Sequence, residues 1–143
     1  MTVHSGSCHC GAVRFTYRSD APLAVRECQC SFCRKHGSRN VSDPVGSIEI
    51  VSSVPLTRYR FGLGITDFLI CPTCGSYVAA AMGEGDDCRS TLNLNCFDNP
   101  HLELQVEPVV YDAEDSADRI KRRRQRWTPT RIVEPEEVGV TGA

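Results

Sequence analysis

The chain lacks any apolar run approaching the roughly 20 residues that a membrane-spanning helix requires. No membrane partner is therefore expected. A secretory leader is not in view either, because Arg14, Arg18 and Asp20 interrupt every candidate apolar segment near the start. Basic residues are not in excess: 16 lysines and arginines face 18 acids, for a net charge of −2. That balance disfavours a general nucleic-acid binder, although a local basic patch stays open. There is no internal repeat. The cysteine count is nine, not the even number of a complete disulfide framework. The expected location is the cytoplasm, where clustered cysteines serve as ligands or catalysts sooner than as disulfides. At 143 residues, with 41% apolar and 24% charged side chains, one domain with a real core is expected.

What the chain does have is cysteine in three tight clusters. These are Cys8-His9-Cys10, then Cys28-Gln29-Cys30-Ser31-Phe32-Cys33, then Cys71-Pro72-Thr73-Cys74. They hold seven of the nine cysteines. Zinc in a closed structural site takes four ligands, whereas a working site keeps three protein ligands and an open position. Seven thiols divide into one of each. In an extended strand residues i and i+2 share a face, so a C-x-C presents two sulfurs to one point. In Cys71-Pro72-Thr73-Cys74-Gly75 the Pro-Thr pair forms a tight turn, and Gly75 accepts a positive φ that lets N–H groups approach the sulfurs. Pairing Cys8 and Cys10 with Cys71 and Cys74 gives the closed site. Cys28, Cys30 and Cys33 then form the second site. Three thiolates leave a zinc ion one unit negative, four leave it two units negative, so the three-thiolate site is the better Lewis acid. The alternatives are a second closed site completed by Cys88, Cys96 or His36, and a metal-free redox triad. Loading both sites would add three negative charges to the protein, seven thiolates against two divalent ions.

The rest of the pattern is that of an all-β chain. Val13, Phe15 and Tyr17 alternate with Ala12, Arg14 and Thr16, as in a half-buried strand. Leu23–Cys28, Ile48–Val51, Leu56–Phe61, Asp67–Ile70 and Tyr77–Met82 read as further strands or extended segments, as do the stretches around Leu92–Leu94 and Leu102–Val106. Residues 38–46 and Gly83–Asp87 read as loops. Arg34-Lys35-His36 predicts one helical turn stopped by Gly37. After Tyr111 acids precede bases, from Asp112, Glu114, Asp115 and Asp118 to Arg119–Arg126, which suits a helix capped by Asp115 or Ser116. The domain expected is residues 4–111, followed by a helix and loose tail over 112–143.

The order and spacing of the three clusters resemble the glutathione-dependent formaldehyde-activating enzyme family, which also includes centromere protein V. The carriers are Gly6-Ser7-Cys8-His9-Cys10-Gly11, Cys28-Gln29-Cys30-Ser31-Phe32-Cys33-Arg34 and Cys71-Pro72-Thr73-Cys74-Gly75-Ser76, and the resemblance covers about residues 4–111. It implies a β-tent fold stitched by zinc. It implies a structural zinc on Cys8, Cys10, Cys71 and Cys74 and a catalytic-type zinc on Cys28, Cys30 and Cys33. It implies carbon–sulfur lyase chemistry, in which a small-molecule thiol such as glutathione adds to a small aldehyde. Arg34, Lys35 and His36, next to the second site, are the candidates for stabilising the oxyanion and moving the proton, with Asn40 as a weaker one. Phe32 is read as pocket wall or core. The competing function is a non-catalytic zinc-stabilised binding module whose basic helix, with Trp127, contacts nucleic acid or protein. The bland reading of that helix packs it back on the domain through Ile120 and Trp127. It could also serve a homodimer.

Overall fold

A computed structural model describes residues 2–99 and 105–135. The strands are β1 (Thr2–Ser7), β2 (Val13–Ser19), β3 (Ala24–Cys28), β4 (Asn40–Val41), β5 (Ser47–Ser52), β6 (Thr57–Tyr59), β7 (Asp67–Ile70), β8 (Tyr77–Met82), β9 (Arg89–Asn93), β10 (Gln105–Val109) and β11 (Thr128–Val133). Two α-helices, α1 (Ser31–His36) and α2 (Ser116–Arg126), complete the described elements, with short 3₁₀ turns at Gly85–Asp87 and Leu94–Cys96. This is the all-β architecture expected, mostly sheet with one long helix.

Hydrogen bonding runs in the order β1-β2-β5-β11-β9-β4-β3-β10, and β6, β7 and β8 branch from β9. The patterning explains the layers. In β2, Val13, Phe15, Tyr17 and Ser19 are buried while Arg14 and Arg18 are exposed. In β5, Ile48, Ile50 and Ser52 are buried while Ser47, Glu49 and Val51 are exposed. β8 is buried on both faces, which is why its sequence is continuously apolar. Val78, Ala79 and Ala81 join the main core with Val13, Phe15 and Leu92, whereas Tyr77, Ala80 and Met82 join a second core with Phe32, Phe68 and Trp127. The three-cysteine cluster belongs to that second core.

The expected strand over Leu56–Phe61 shortens to Thr57–Tyr59. It is an edge strand paired only with β7, and all three residues are exposed. The strand expected around Leu92–Leu94 ends at Asn93, because Asn93 caps a 3₁₀ turn with its side chain. Of the stretch Leu102–Val106, residues 102–104 lie outside the described residues, and β10 continues from Gln105. The loop read over 38–46 contains the two-residue β4. β1 and β11 have no counterpart in the sequence reading.

β11 sits between β5, to which it is parallel, and β9, to which it is antiparallel. The segment after α2 is therefore an interior strand. Gly6 in β1 lies where a Cβ would overlap the Phe15 ring and the Cys96 carbonyl. Gly6→Ala is expected to cost about 1–3 kcal/mol, towards the upper end because a backbone oxygen cannot turn aside. A lowered denaturant midpoint with unchanged slope would report it.

Candidate functional site

The four-cysteine group is built by two turns. Cys8 follows β1, and its backbone N–H donates to the Val13 carbonyl at 2.9 Å while the Val13 N–H points at Cys8 Sγ at 3.3 Å. Gly11, at φ 84°, makes the return possible. Cys71 and Cys74 flank the second turn, closed by Gly75 N–H to the Cys71 carbonyl at 2.9 Å with Gly75 at φ 79°. Cys8 and Cys10 sulfurs are 3.7 Å apart, as are those of Cys10 and Cys71. This is far beyond a disulfide bond of about 2.05 Å. It matches the spacing of about 3.8 Å that a tetrahedral ion with Zn–S of about 2.3 Å imposes on its ligands. All four sulfurs lie within 4.8 Å of one another and could hold a metal ion. The Ser76 hydroxyl receives the His9 N–H at 3.2 Å and bonds the Cys74 sulfur at 3.3 Å, and it holds the Cys74 thiol down at about 5.

Cys28, Cys30 and Cys33 form a second group, also within 4.8 Å of one another. Cys28 ends β3, and β10 runs beside it in parallel, pairing Val109 with Cys28. Cys30 is the N-cap of α1, and its sulfur accepts the Cys33 N–H at 3.4 Å. Cys33 lies on the buried face of α1, where the Asn40 amide donates to its sulfur at 3.7 Å. Gly37, at φ 61°, stops the helix as expected. Hydrogen bonds from the Cys28 and Cys33 thiols, and then from the Cys33 and Phe32 N–H groups, hold the Cys30 thiol far below the ordinary range. Among the described residues no fourth histidine, cysteine or carboxylate joins this group. Cys88 is in the main core. Cys96 packs against it, with burial pushing its thiol up to about 11.

The three-cysteine group lines a cavity of about 100 Å³. Phe61, Phe68, Tyr77 and Trp127 supply its apolar wall. Arg26, Arg119, Arg122 and Arg123 supply its charge. None of Cys8, Cys10, Cys71 or Cys74 lines it. Arg34, Lys35 and His36 do not line it either. All three are exposed on α1, and His36 stacks on Phe32 at 4.1 Å while its Nδ1 donates to the Phe32 carbonyl at 2.9 Å. Phe32 itself is core, 8% exposed. Asn40 lines the cavity.

The arginines come mostly from α2, whose positions 119, 122 and 123 share one face at i, i+3 and i+4. That spacing was the signal in the sequence for a common target. Asp115 caps the helix, accepting the Asp118 N–H at 2.8 Å, and Ile120 and Trp127 pack it onto the second core. Glu114 takes both Arg122 (2.8 and 2.9 Å) and Arg119 (3.6 Å), and these contacts, Arg122 first, hold its carboxyl below the usual range. Arg123 lies over the Trp127 ring at 4.4 Å and donates to Thr66. Burial, then Arg122 and Arg119, lowers its guanidinium to about 10. Tyr77 is pushed well up by burial and then by the three cysteines, so its phenol stays protonated. Among the described residues the buried side-chain polar atoms with no hydrogen-bond partner are Asn40 Oδ1, Tyr77 OH, Arg123 Nε and Arg119 Nε, the last in a longer ion pair with Glu114. All four belong to residues lining this cavity.

No described helix is long and apolar enough to cross a membrane. A crystal structure of a Rhodobacter sphaeroides protein is similar, with TM-score 0.53 and 29% identity, over 67% of this chain and 91% of that one. A Halomonas elongata protein provisionally named as a glutathione-dependent formaldehyde-activating enzyme is 60% identical over 30 residues, which are 21% of this chain and 19% of that relative's length. The profile of the glutathione-dependent formaldehyde-activating enzyme family matches residues 3–113. That match takes in both cysteine groups and most of the sheet, and the chain belongs to this family.

Proposed function

We propose that the protein forms or cleaves the carbon–sulfur bond between a thiol, glutathione or one like it, and a small aldehyde. The reaction is that of a carbon–sulfur lyase, and the site is the cavity lined by Cys28, Cys30 and Cys33. The observation that carries this reading is the division between the two cysteine groups. One gathers four thiols between two turns, and the other gathers three and opens on a cavity lined by polar atoms without hydrogen bonds. In this reading Cys8, Cys10, Cys71 and Cys74 hold a structural zinc, and Cys28, Cys30 and Cys33 hold a second one. Zinc held by Cys28, Cys30 and Cys33 would supply Lewis acidity, lowering the pKa of a thiol bound beside them.

The chain's own groups do the rest. The Asn40 amide steadies the Cys33 sulfur, and the Cys33 N–H steadies that of Cys30. As the thiol sulfur bonds the aldehyde carbon, the carbonyl oxygen gains negative charge and then a proton. The Tyr77 phenol, protonated and without a partner, is the donor suited to that oxygen. The arginines of α2 add positive potential in a partly enclosed site. The oxyanion role expected of Arg34, Lys35 and His36 passes to these groups.

The binding-module reading loses support on the same ground. Arg119, Arg122 and Arg123 turn to the cavity, and Glu114 already pairs two of them. The test is metal analysis followed by NMR of a ¹³C-labelled aldehyde mixed with thiol, formaldehyde with glutathione first. Two zinc ions per chain are expected, with hemithioacetal exchange faster than in buffer. A fully loaded protein that accelerates no thiol–aldehyde pair would end the proposal.

A further inference from the structure

The cavity carries more positive charge than its cysteines require. Arg26, Arg119, Arg122 and Arg123 line it, against a single lining acid, Asp112, and the paired Glu114. That leaves two positive charges. A zinc ion on three thiolates offsets only one of them. Burying an uncompensated cation costs several kcal/mol, so a fold that gathers these groups gains from an anion placed among them. Guanidinium forks suit planar carboxylates. Arg123 Nε is the donor with neither a hydrogen bond nor an ion pair, on a side chain otherwise held by Thr66, and Arg119 Nε makes only a long contact of 3.6 Å to Glu114. Size narrows the class. At about 100 Å³ the cavity suits a small reactant better than a whole tripeptide thiol. Three of the four arginines also lie on α2, beyond the family-matched residues 3–113.

We infer that the cavity binds a small carboxylate, carried by the aldehyde or by the thiol, and that Arg119 and Arg123 select it over a neutral reactant. The inference rests on the proposed reaction for the identity of the two reactants. Its test needs no turnover. Trp127, the one tryptophan in the chain, is 5% exposed and lines the cavity, so its fluorescence reports occupancy.

The zinc-loaded full chain is titrated with glyoxylate against glycolaldehyde, and with mercaptoacetate against mercaptoethanol. In at least one pair the carboxylate is expected to bind tenfold or more tightly than its neutral partner. Discrimination in the aldehyde pair alone puts the carboxylate on the aldehyde, and in the thiol pair alone puts it on the thiol. Arg119→Gln should bring the ratio down at least fivefold with the zinc content unchanged, and Arg123→Gln should do the same. Equal affinities within both pairs, or a ratio that neither variant moves, would overturn the inference and leave the arginines as counter-charges to the thiolates. Discrimination without thiol–aldehyde chemistry would refute the reaction and keep the anion site, whereas chemistry without discrimination would do the reverse.

Discussion

Cys71→Ser is expected to leave the protein unfolded at 25 °C. Cys71 is fully buried between β7 and β8, and its sulfur lies 3.7 Å from that of Cys10. A closed four-thiolate site contributes about 10–16 kcal/mol of apparent binding energy to folding. Whole domains of this size have net stabilities of about 5–15 kcal/mol. A serine hydroxyl is a poor zinc ligand, so the variant loses much of the first quantity and cannot draw it from the second. It would also bury an oxygen without a partner, at about 1–3 kcal/mol. Circular dichroism and zinc content check this together. A Cys71→Ser chain that melts within a few degrees of wild type would show that these four thiols do not hold the fold.

Cys30→Ser should have the opposite profile, with the fold kept and the chemistry lost. Cys30 caps α1 through its sulfur, and serine is among the best N-caps, so its hydroxyl can take over the bond from the Cys33 N–H. The rim of the second core should survive. The second metal should not, and one zinc per chain should remain. The rate of thiol–aldehyde addition should fall by about three orders of magnitude, the several kcal/mol that a Lewis-acid metal supplies. NMR exchange rates with metal analysis on the same sample decide it. Full activity with one zinc per chain would move the reaction to another part of the molecule.

Both expectations rest on features that were legible in the sequence. Seven cysteines at ligand spacing come together as two groups of four and three, because i, i+2 and tight-turn geometry act over a few residues and need no knowledge of the fold. Gly37 and Asp115 end and begin their helices for equally local reasons. Neighbourhood in the chain was the poorer guide to what lines the cavity. Arg34, Lys35 and His36 follow Cys33 directly, but successive helical residues turn by about 100°. With Cys33 facing inward they face water. The charge that lines the cavity comes from Arg26 and from α2, about ninety positions away from the cysteines, and only the fold brings them together. β11 was illegible for a related reason. Thr128-Pro129-Thr130-Arg131-Ile132-Val133 contains a proline, which argues against an interior strand. Pro129 is tolerated because it lies near one end of the strand, opposite Arg89, where the ladder with β9 stops.

The position of β11 bears on how the molecule can be made. A ribosome delivers this strand last of those described, yet β5 and β9 are joined through it. Until Val133 has cleared the exit tunnel, the nascent chain carries two open strand edges, each able to recruit a neighbour. The β1-β2-β5 leaf is then tethered to the rest by core packing, the β1–Phe97 bridge and the cysteine turns, without a continuous ladder. Early metal capture would keep the two leaves in register while synthesis finishes.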